Sequence, residues 1–141
     1  MEEPILSVPE VAAINYPGVS ERVKATVMDS MVIVFMIIGA TYLFEQFDDV
    51  SATVRTAAFV FIFGLYDPVM TSVFGATLGH RSMGIRVSKG SDHQQKIAFP
   101  LAVVRYVIKA LLGWLSLLTV GSSKDKRAIH DMAVGSVVLY R

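Results

Sequence analysis

Three long apolar runs, separated by short polar segments, dominate the chain. They cover residues 25–44, 57–79 and 97–120. As a helix rising 1.5 Å per residue, the first run is about 30 Å long, which is the thickness of the hydrocarbon core of a bilayer. A soluble domain would instead disperse its apolar residues with a period of 2 or 3.6. The pattern therefore predicts an all-α membrane protein with one membrane domain over residues 21–141.

Residues 1–20 differ from the rest of the chain in pattern. They carry three prolines and lack the basic start and short apolar core of a cleavable signal peptide. We expect them to form an N-terminal cytoplasmic segment that is not removed. Tyr16-Pro17-Gly18 predicts a turn, and Ser20 is the expected N-cap of the first helix.

Composition and charge narrow the function classes. Hydrophobic residues make up 53% of the chain and charged residues 18%, against about 45–50% and about 25% in average domains. The 13 basic and 12 acidic residues nearly balance, so the total charge gives no reason to expect a nucleic-acid partner. The absence of cysteine excludes disulfides, thiolate metal sites and a catalytic thiol.

The positions of the basic residues predict an orientation. Ten of the 13 flank the apolar runs, whereas the link at 45–56 carries only Arg55. The positive-inside rule then places the N-terminus in the cytoplasm and this link outside. The ten are Arg22, Lys24, Arg81, Arg86, Lys89, Lys96, Lys124, Lys126, Arg127 and Arg141.

The third run does not fit a simple crossing, because basic residues lie at both of its ends and two more, Arg105 and Lys109, lie within it. A charge at the bilayer centre costs at least about 2.5–3.5 kcal/mol on insertion scales. We therefore expect two full spans, a third interfacial or re-entrant segment broken near Gly113, and a cytoplasmic C-terminus. The alternative is three plain spans with the C-terminus outside.

The remaining polar segments predict a small cytoplasmic cap. Residues 80–96 are hydrophilic, and the chain ends in a β-branched stretch. We expect residues 84–88 to pair with residues 134–139 as a short β-hairpin within this cap. Glycines 75 and 79, one helical turn apart, suggest a close approach between helix backbones.

Four ionisable residues lie inside the apolar runs, where an unpaired charge is unfavourable. One hypothesis is an ion or proton path; the other is a polar lock that fixes the fold. Arg22 precedes the first of them by two helical turns on the same face, which favours an ion pair between the two residues as a lock. The four residues are Asp29, Asp67, Arg105 and Lys109.

The two hypotheses apply differently along the chain. A helix broken at Pro68, beside Asp67, would expose backbone carbonyls that bind cations, which favours the ion path there. For Arg105 and Lys109 the alternative is snorkelling from an interfacial helix to lipid phosphates.

No constellation of catalytic residues is evident. His130-Asp131 resembles half of a metal-dependent phosphohydrolase signature, but three histidines and no second acid cluster give it no complement. The chain also lacks a phosphate-binding glycine loop and a nucleophile elbow. We expect no cofactor, no metal and no enzymatic activity.

Several motifs, in order, resemble the RDD family of small prokaryotic membrane proteins, over roughly residues 15–140. Arg22-Val-Lys-Ala-Thr-Val-Met-Asp29 opens the first run, and Gly75-Ala-Thr-Leu-Gly79-His-Arg-Ser-Met-Gly84 closes the second. Arg127-Ala-Ile-His130-Asp131 follows the third. The family is named for one arginine and two aspartates. Arg22 and Asp29 match the first two, and Asp131 is the choice for the third, with Asp67 the other candidate.

The resemblance implies a bacterial inner-membrane protein. It also implies transport of an unidentified ligand, with sodium/proton antiport one suggestion. Two or three apolar segments are too few to surround a transport path through the membrane. A transporter of this size would therefore have to be an oligomer. The alternative function is a non-transporting membrane scaffold or a subunit of a larger membrane complex. The residues that would carry either role are Arg22, Asp29, Asp67, Arg105, Lys109, His130 and Asp131.

Overall fold

The computed structural model describes residues 14–141, so most of the predicted N-terminal segment lies outside the described residues. Its elements are mainly helices, together with one pair of strands. In chain order they are α1 (Val19–Phe44), α2 (Ala52–Phe74), α3 (Leu78–Ser82), β1 (Ile85–Lys89), α4 (Phe99–Leu112), a 3-10 helix (Gly113–Val120), α5 (Ile129–Ala133) and β2 (Ser136–Tyr140).

The helical stretches Val19–Phe44, Ala52–Phe74 and Phe99–Val120 are long and apolar enough to cross a membrane. They coincide with the three apolar runs, which confirms the mostly helical, membrane-type architecture. The first helix exposes most of its apolar side chains, and only Arg22, Ala25 and Asp29 are buried on it. A helix that is apolar on its exposed side is typical of contact with lipid.

The ends of the helices follow local capping rather than the limits of the apolar runs. The N-cap of α1 is Gly18, not the predicted Ser20. Helix α2 begins five residues before its apolar run, because the Ser51 hydroxyl accepts a hydrogen bond from the Val54 amide at 3.3 Å. It ends at Gly75, which adopts a left-handed conformation with φ of 73°. The second run is therefore divided between α2 and α3.

Pro68 lies inside α2, and the helix continues through it. The prediction of a second span broken at this proline is therefore wrong. A proline removes the backbone donor for the carbonyl four residues earlier, here that of Gly64, so α2 loses one hydrogen bond but not its continuity. Just after the proline, the hydroxyls of Thr71 and Ser72 donate to the carbonyls of Asp67 and Pro68, each at 2.7 Å.

The third run changes conformation at Gly113, as predicted. Helix α4 ends there with φ of 53° at the glycine, and the chain goes on as the 3-10 helix. We call residues 78–96 and 121–141 the cap. It contains α3, β1, α5 and β2. Ile97, before α4, packs in one cluster with Ile85, Val87 and Val138 of the cap. After the break, the Thr119 hydroxyl donates to the Arg127 carbonyl at 2.8 Å. Both ends of the third run therefore contact the cap.

Strands β1 and β2 form an antiparallel pair with Ile85 opposite Tyr140 and Lys89 opposite Ser136. The predicted pairing of these two segments is present, with strand bounds one or two residues further along the chain than predicted. The prediction of a hairpin is wrong, because residues 90–135, including the whole third run, connect the two strands. The sheet supplies buried core of the cap, because four of its side chains are almost completely buried: Ile85, Val87, Val137 and Val138.

Candidate functional site

Asp131 lies at the centre of a buried ionic network. It is fully buried in the first turn of α5. One carboxylate oxygen accepts from Arg22 Nη1 of α1 at 2.5 Å, and the other accepts from Arg105 Nε of α4 at 2.9 Å. Arg22 also donates from Nη2 to the Lys126 carbonyl at 2.7 Å. One carboxylate of the cap thus binds two of the long helices.

The arginines keep Asp131 charged. Burial alone would raise the pKa of this carboxyl, but the positive charges of Arg105 and Arg22 lower it below the usual aspartate range. Charge-assisted hydrogen bonds of this kind are about twice as strong as neutral ones. Asp131 is therefore an anion that ties α1, α4 and α5 together.

Asp67 of α2 continues the network toward the centre of the membrane region. Its Oδ2 atom accepts from Lys109 Nζ at 2.9 Å, and Oδ1 lies 3.5 Å from Arg105 Nη1. Arg105 therefore lies between Asp67 and Asp131. The alternative in which Arg105 and Lys109 extend to lipid phosphates is not observed, because buried carboxylates on α2 and α5 bind them instead.

The contact between Asp67 and Arg105 is looser than the others. Among the described residues, Asp67 Oδ1 and Arg105 Nη1 have no hydrogen-bond partner, although both are buried. Arg105 also lines a cavity of about 20 Å³, together with Arg22, His80 and Lys109. A polar cavity of this size is large enough for one water molecule.

Asp29 has a separate set of partners. Its carboxylate accepts from the Tyr66 hydroxyl at 2.8 Å, the Thr77 hydroxyl at 2.6 Å and the Gly79 amide at 2.7 Å. The predicted Arg22–Asp29 ion pair is therefore wrong, because Arg22 donates to Asp131. Asp29 instead fixes α3 and α2 against α1 through neutral donors.

Two buried histidines, His80 and His130, also belong to the site. The Thr77 hydroxyl has one proton, which it donates to Asp29. His80 Nδ1, 2.6 Å from the same hydroxyl oxygen, must therefore carry the proton of that contact. His130 Nδ1 bonds to the Ser116 hydroxyl, and its Nε2 lies 3.5 Å from Asp131. Both rings are held by their hydroxyl partners.

Both histidines are neutral near pH 7. Burial lowers the pKa of His80 to about 3, and Lys109 and Arg105 add to the effect. Burial also lowers the pKa of His130 to about 3, with a further contribution from Arg105. Protonating either ring would place another positive charge beside these cations.

Acidification should therefore destabilise the folded protein. An unfolded chain protonates histidine near pH 6.5, whereas these rings stay neutral down to about pH 3 when folded. The stability they contribute is full above about pH 6.5 and decreases as the pH falls toward 3, by up to about 1.4 kcal/mol per pH unit for each ring. Thermal unfolding in detergent between pH 7.5 and 5 measures this slope.

The H80N and H130N variants provide the comparison. Each should have a shallower pH slope than the unsubstituted chain, because one depressed histidine is gone. H93N, in the turn after β1, is the matched control and should leave the slope unchanged. A melting temperature that does not change over this pH range would contradict the prediction.

Seven site residues were predicted, and the structure brings them into two neighbouring clusters. Arg22, Asp67, Arg105, Lys109 and Asp131 form the ionic network, which His130 flanks, and Asp29 lies in the second cluster. Sequence reasoning missed the partners of Asp29 and the hydroxyl partner of His130. A signal for Thr77 and Gly79 was present, since both lie in the Gly75–Gly84 motif. The missed residues are Tyr66, Thr77, Gly79, His80 and Ser116.

A larger cavity of about 280 Å³ opens beside the network. Its walls are mainly apolar and include Val27 of α1 and Trp114 of the 3-10 helix. Lys109 and His130 are its charged or titratable lining residues. The Lys109 side chain is 21% exposed, against 7% for its partner Asp67. Lys109 is therefore the member of the ion pair that reaches the cavity.

Within residues 14–141, no group of three or more histidine, aspartate or glutamate side chains is arranged to hold a metal ion. The model of the RDD family matches residues 16–135 of the chain. No curated protein and no solved structure matches the chain. The match includes every residue of the two clusters.

Proposed function

The chain belongs to the RDD family, and from this premise we propose that it is a transporter subunit that exchanges a cation for a proton across the membrane. The observation that carries the proposal is the Asp67–Lys109 ion pair, buried between two membrane-type helices beside a cavity. Ionisable residues at membrane depth are functional candidates by default, because they are unfavourable there. Here an acid and a base of opposite charge are in direct contact.

The three carboxylates of the site have different roles in this proposal. Asp131 and Asp29 each accept at least two short hydrogen bonds from fixed donors, which leaves little room for an ion. Asp67 has one close partner, on a flexible lysine side chain, and one unbonded oxygen. Asp67 is therefore the carboxylate that can change partner without loss of the fold.

The exchange step is a competition for Asp67. A cation that enters from the cavity binds the carboxylate, and Lys109 turns toward the cavity and releases its proton to water there. The site holds one negative and one positive charge before the step and the same charges after it. The exchange of one monovalent cation for one proton is therefore electroneutral at this site.

The subunit would act as a homo-oligomer. The larger cavity lies between α1 and the 3-10 helix, and the apolar side chains of α1 beside it are exposed. A second copy that packs on this face would supply the missing wall. A transport path lined on all sides needs more helices than one chain provides.

The experiment uses the full chain in proteoliposomes that contain a pH-sensitive dye, with an imposed sodium gradient. We expect sodium-driven proton flux for the unsubstituted protein and its almost complete loss for D67N and for K109Q. The matched control is D125N, which changes a half-exposed carboxylate whose nearest cation is 3.7 Å away. Its flux should be unchanged.

Folding is checked separately, by comparing the melting temperature and gel-filtration profile of each variant. Unchanged flux in folded D67N would overturn the assignment of Asp67. Absence of flux from the unsubstituted protein with sodium, lithium and potassium would overturn cation–proton exchange itself.

The orientation proposed for the chain places the cap, with both chain ends, in the cytoplasm of a bacterial inner membrane. Eight of the ten flanking basic residues lie in the cap, and the other two, Arg22 and Lys24, lie in the first two turns of α1, where Arg22 bonds to Asp131 of the cap. Together with the two contacts of the third run to the cap, this supports two full spans and a re-entrant third segment. A C-terminal phosphatase fusion, active only outside the cytoplasm, should be inactive. Full activity would favour three plain spans.

The alternative function is a non-transporting scaffold or subunit of a membrane complex. The closed hydrogen bonding of Asp131 and Asp29 favours it, because both carboxylates act as locks between elements. In that case a partner would co-purify in fixed stoichiometry, and D67N would change neither flux nor assembly.

A further inference from the structure

A second cavity, of about 580 Å³, lies in the cap where α2 ends, and it is distinct from the ionic network. Four cationic side chains line it, and no aspartate or glutamate side chain does. The four are Arg81, Arg86, Lys96 and Arg141. None of them forms an ion pair with a described residue.

Two of the cations are fixed by their surroundings. The Arg81 guanidinium lies over the Phe74 ring, 5.2 Å from its centroid. Lys96 Nζ donates to the Val73 carbonyl at 2.6 Å, at the C-terminal end of α2. These contacts hold two positive charges at the mouth of the cavity without neutralising either.

Arg86 supplies the observation that points to a ligand. It projects from β1, and its Nε atom is buried without a hydrogen-bond partner. Arg86 also lines the cavity, so a phosphate there would pair with a guanidinium that has no ionic partner among the described residues. Arginine is also the side chain best suited to bind phosphate oxygens in pairs.

We propose that this cavity binds a phosphate group, and that the source is the headgroup of an anionic phospholipid. The position favours a lipid, because the cavity lies where α2 leaves the apolar region and Phe74, half-exposed, forms part of its wall. A phosphate among the arginines would place its glycerol and acyl chains beside this ring. The proposal does not depend on the proposed transport.

The test measures lipid retention by the full chain in neutral detergent, using native mass spectrometry. Phosphatidylglycerol and phosphatidylcholine are supplied at equal concentration. We expect preferential retention of phosphatidylglycerol by the unsubstituted protein. R81Q/R141Q, which changes two exposed side chains, should weaken retention by at least about tenfold, since each guanidinium would bind the phosphate through charge-assisted hydrogen bonds.

The matched control is K24Q/K124Q, which removes the same charge from exposed positions outside the cavity. It should retain the lipid like the unsubstituted chain. Equal loss in both double variants would show general attraction to the basic surface and would overturn the proposal. So would the absence of any preference for phosphatidylglycerol. R86Q, a single change, tests the buried donor and should also weaken retention.

A second arm separates the two sources of phosphate. Inorganic phosphate and glycerol 1-phosphate are titrated while the melting temperature is followed. Stabilisation by either at micromolar concentration, with displacement of the lipid, would identify a soluble phosphate compound and overturn the lipid source. Stabilisation by phosphatidylglycerol alone supports the proposal.

Discussion

Replacing Asp131 by alanine should prevent the protein from accumulating in a folded form. The substitution leaves the guanidinium groups of Arg22 and Arg105 buried without their shared carboxylate. Breaking a buried ion pair on one side typically destabilises a protein by about 3–5 kcal/mol, which is a large part of the total stability of a typical domain. Fluorescence-detected gel filtration of detergent extracts measures the loss.

Two variants make this result specific. D125A removes a half-exposed carboxylate near Arg127 and should change stability by less than about 1 kcal/mol. R22M/D131A removes one of the two unpaired arginines and should recover part of the folded protein that D131A loses. A D131A protein with an unchanged profile, or a double variant worse than the single one, would contradict the role given to Asp131.

Replacing Gly79 by alanine should also be strongly destabilising. A Cβ atom at this position would collide with the Ala25 carbonyl of α1 and lie 2.7 Å from the Asp29 carboxyl carbon. Neither the helix backbone nor a carboxylate held by three donors can move aside. Overpacking of this kind costs about 1–3 kcal/mol, and it also disturbs the hydrogen bonds of Asp29.

The control for Gly79 is G39A, in the exposed part of α1. A Cβ atom at Gly39 meets nothing within 4 Å. Alanine there should stabilise the helix by up to about 1 kcal/mol, because glycine has the lower helix propensity. The melting temperatures of the two variants should therefore move in opposite directions. A G79A protein as stable as G39A would show that α1 and α3 are not in close contact.

The sequence predicted the apolar helices and the residues of the site better than it predicted the hydrogen-bond and ion-pair partners of those residues. Hydrophobic length alone located the three membrane-type helices. The break at Gly113 followed from two charges that could not lie unpaired in lipid. The partner of Arg22 could not be found by helical periodicity, which relates only residues on one helix, whereas Asp131 lies 109 residues further along the chain.

Other errors have the same physical origin. Helix α2 continues past Pro68 because the proline removes only one hydrogen bond, while the contacts of α2 with α1 and α4 hold the helix on both sides. A local rule for proline does not include those contacts. The start of α2 depended on a single side-chain cap at Ser51. Tyr66 was not identified because its hydroxyl contributes to the site only when α2 packs against α1.

The pairing of β1 with β2 has a consequence for biogenesis. The strands enclose residues 90–135, so the third apolar run enters the membrane before the strand that completes the sheet has been synthesised. Asp131 emerges with that strand, and until then Arg22 and Arg105 lack their carboxylate. Contacts between distant parts of a chain form slowly. Residues 131–140 must therefore be synthesised before the helices already in the bilayer can become one folded unit.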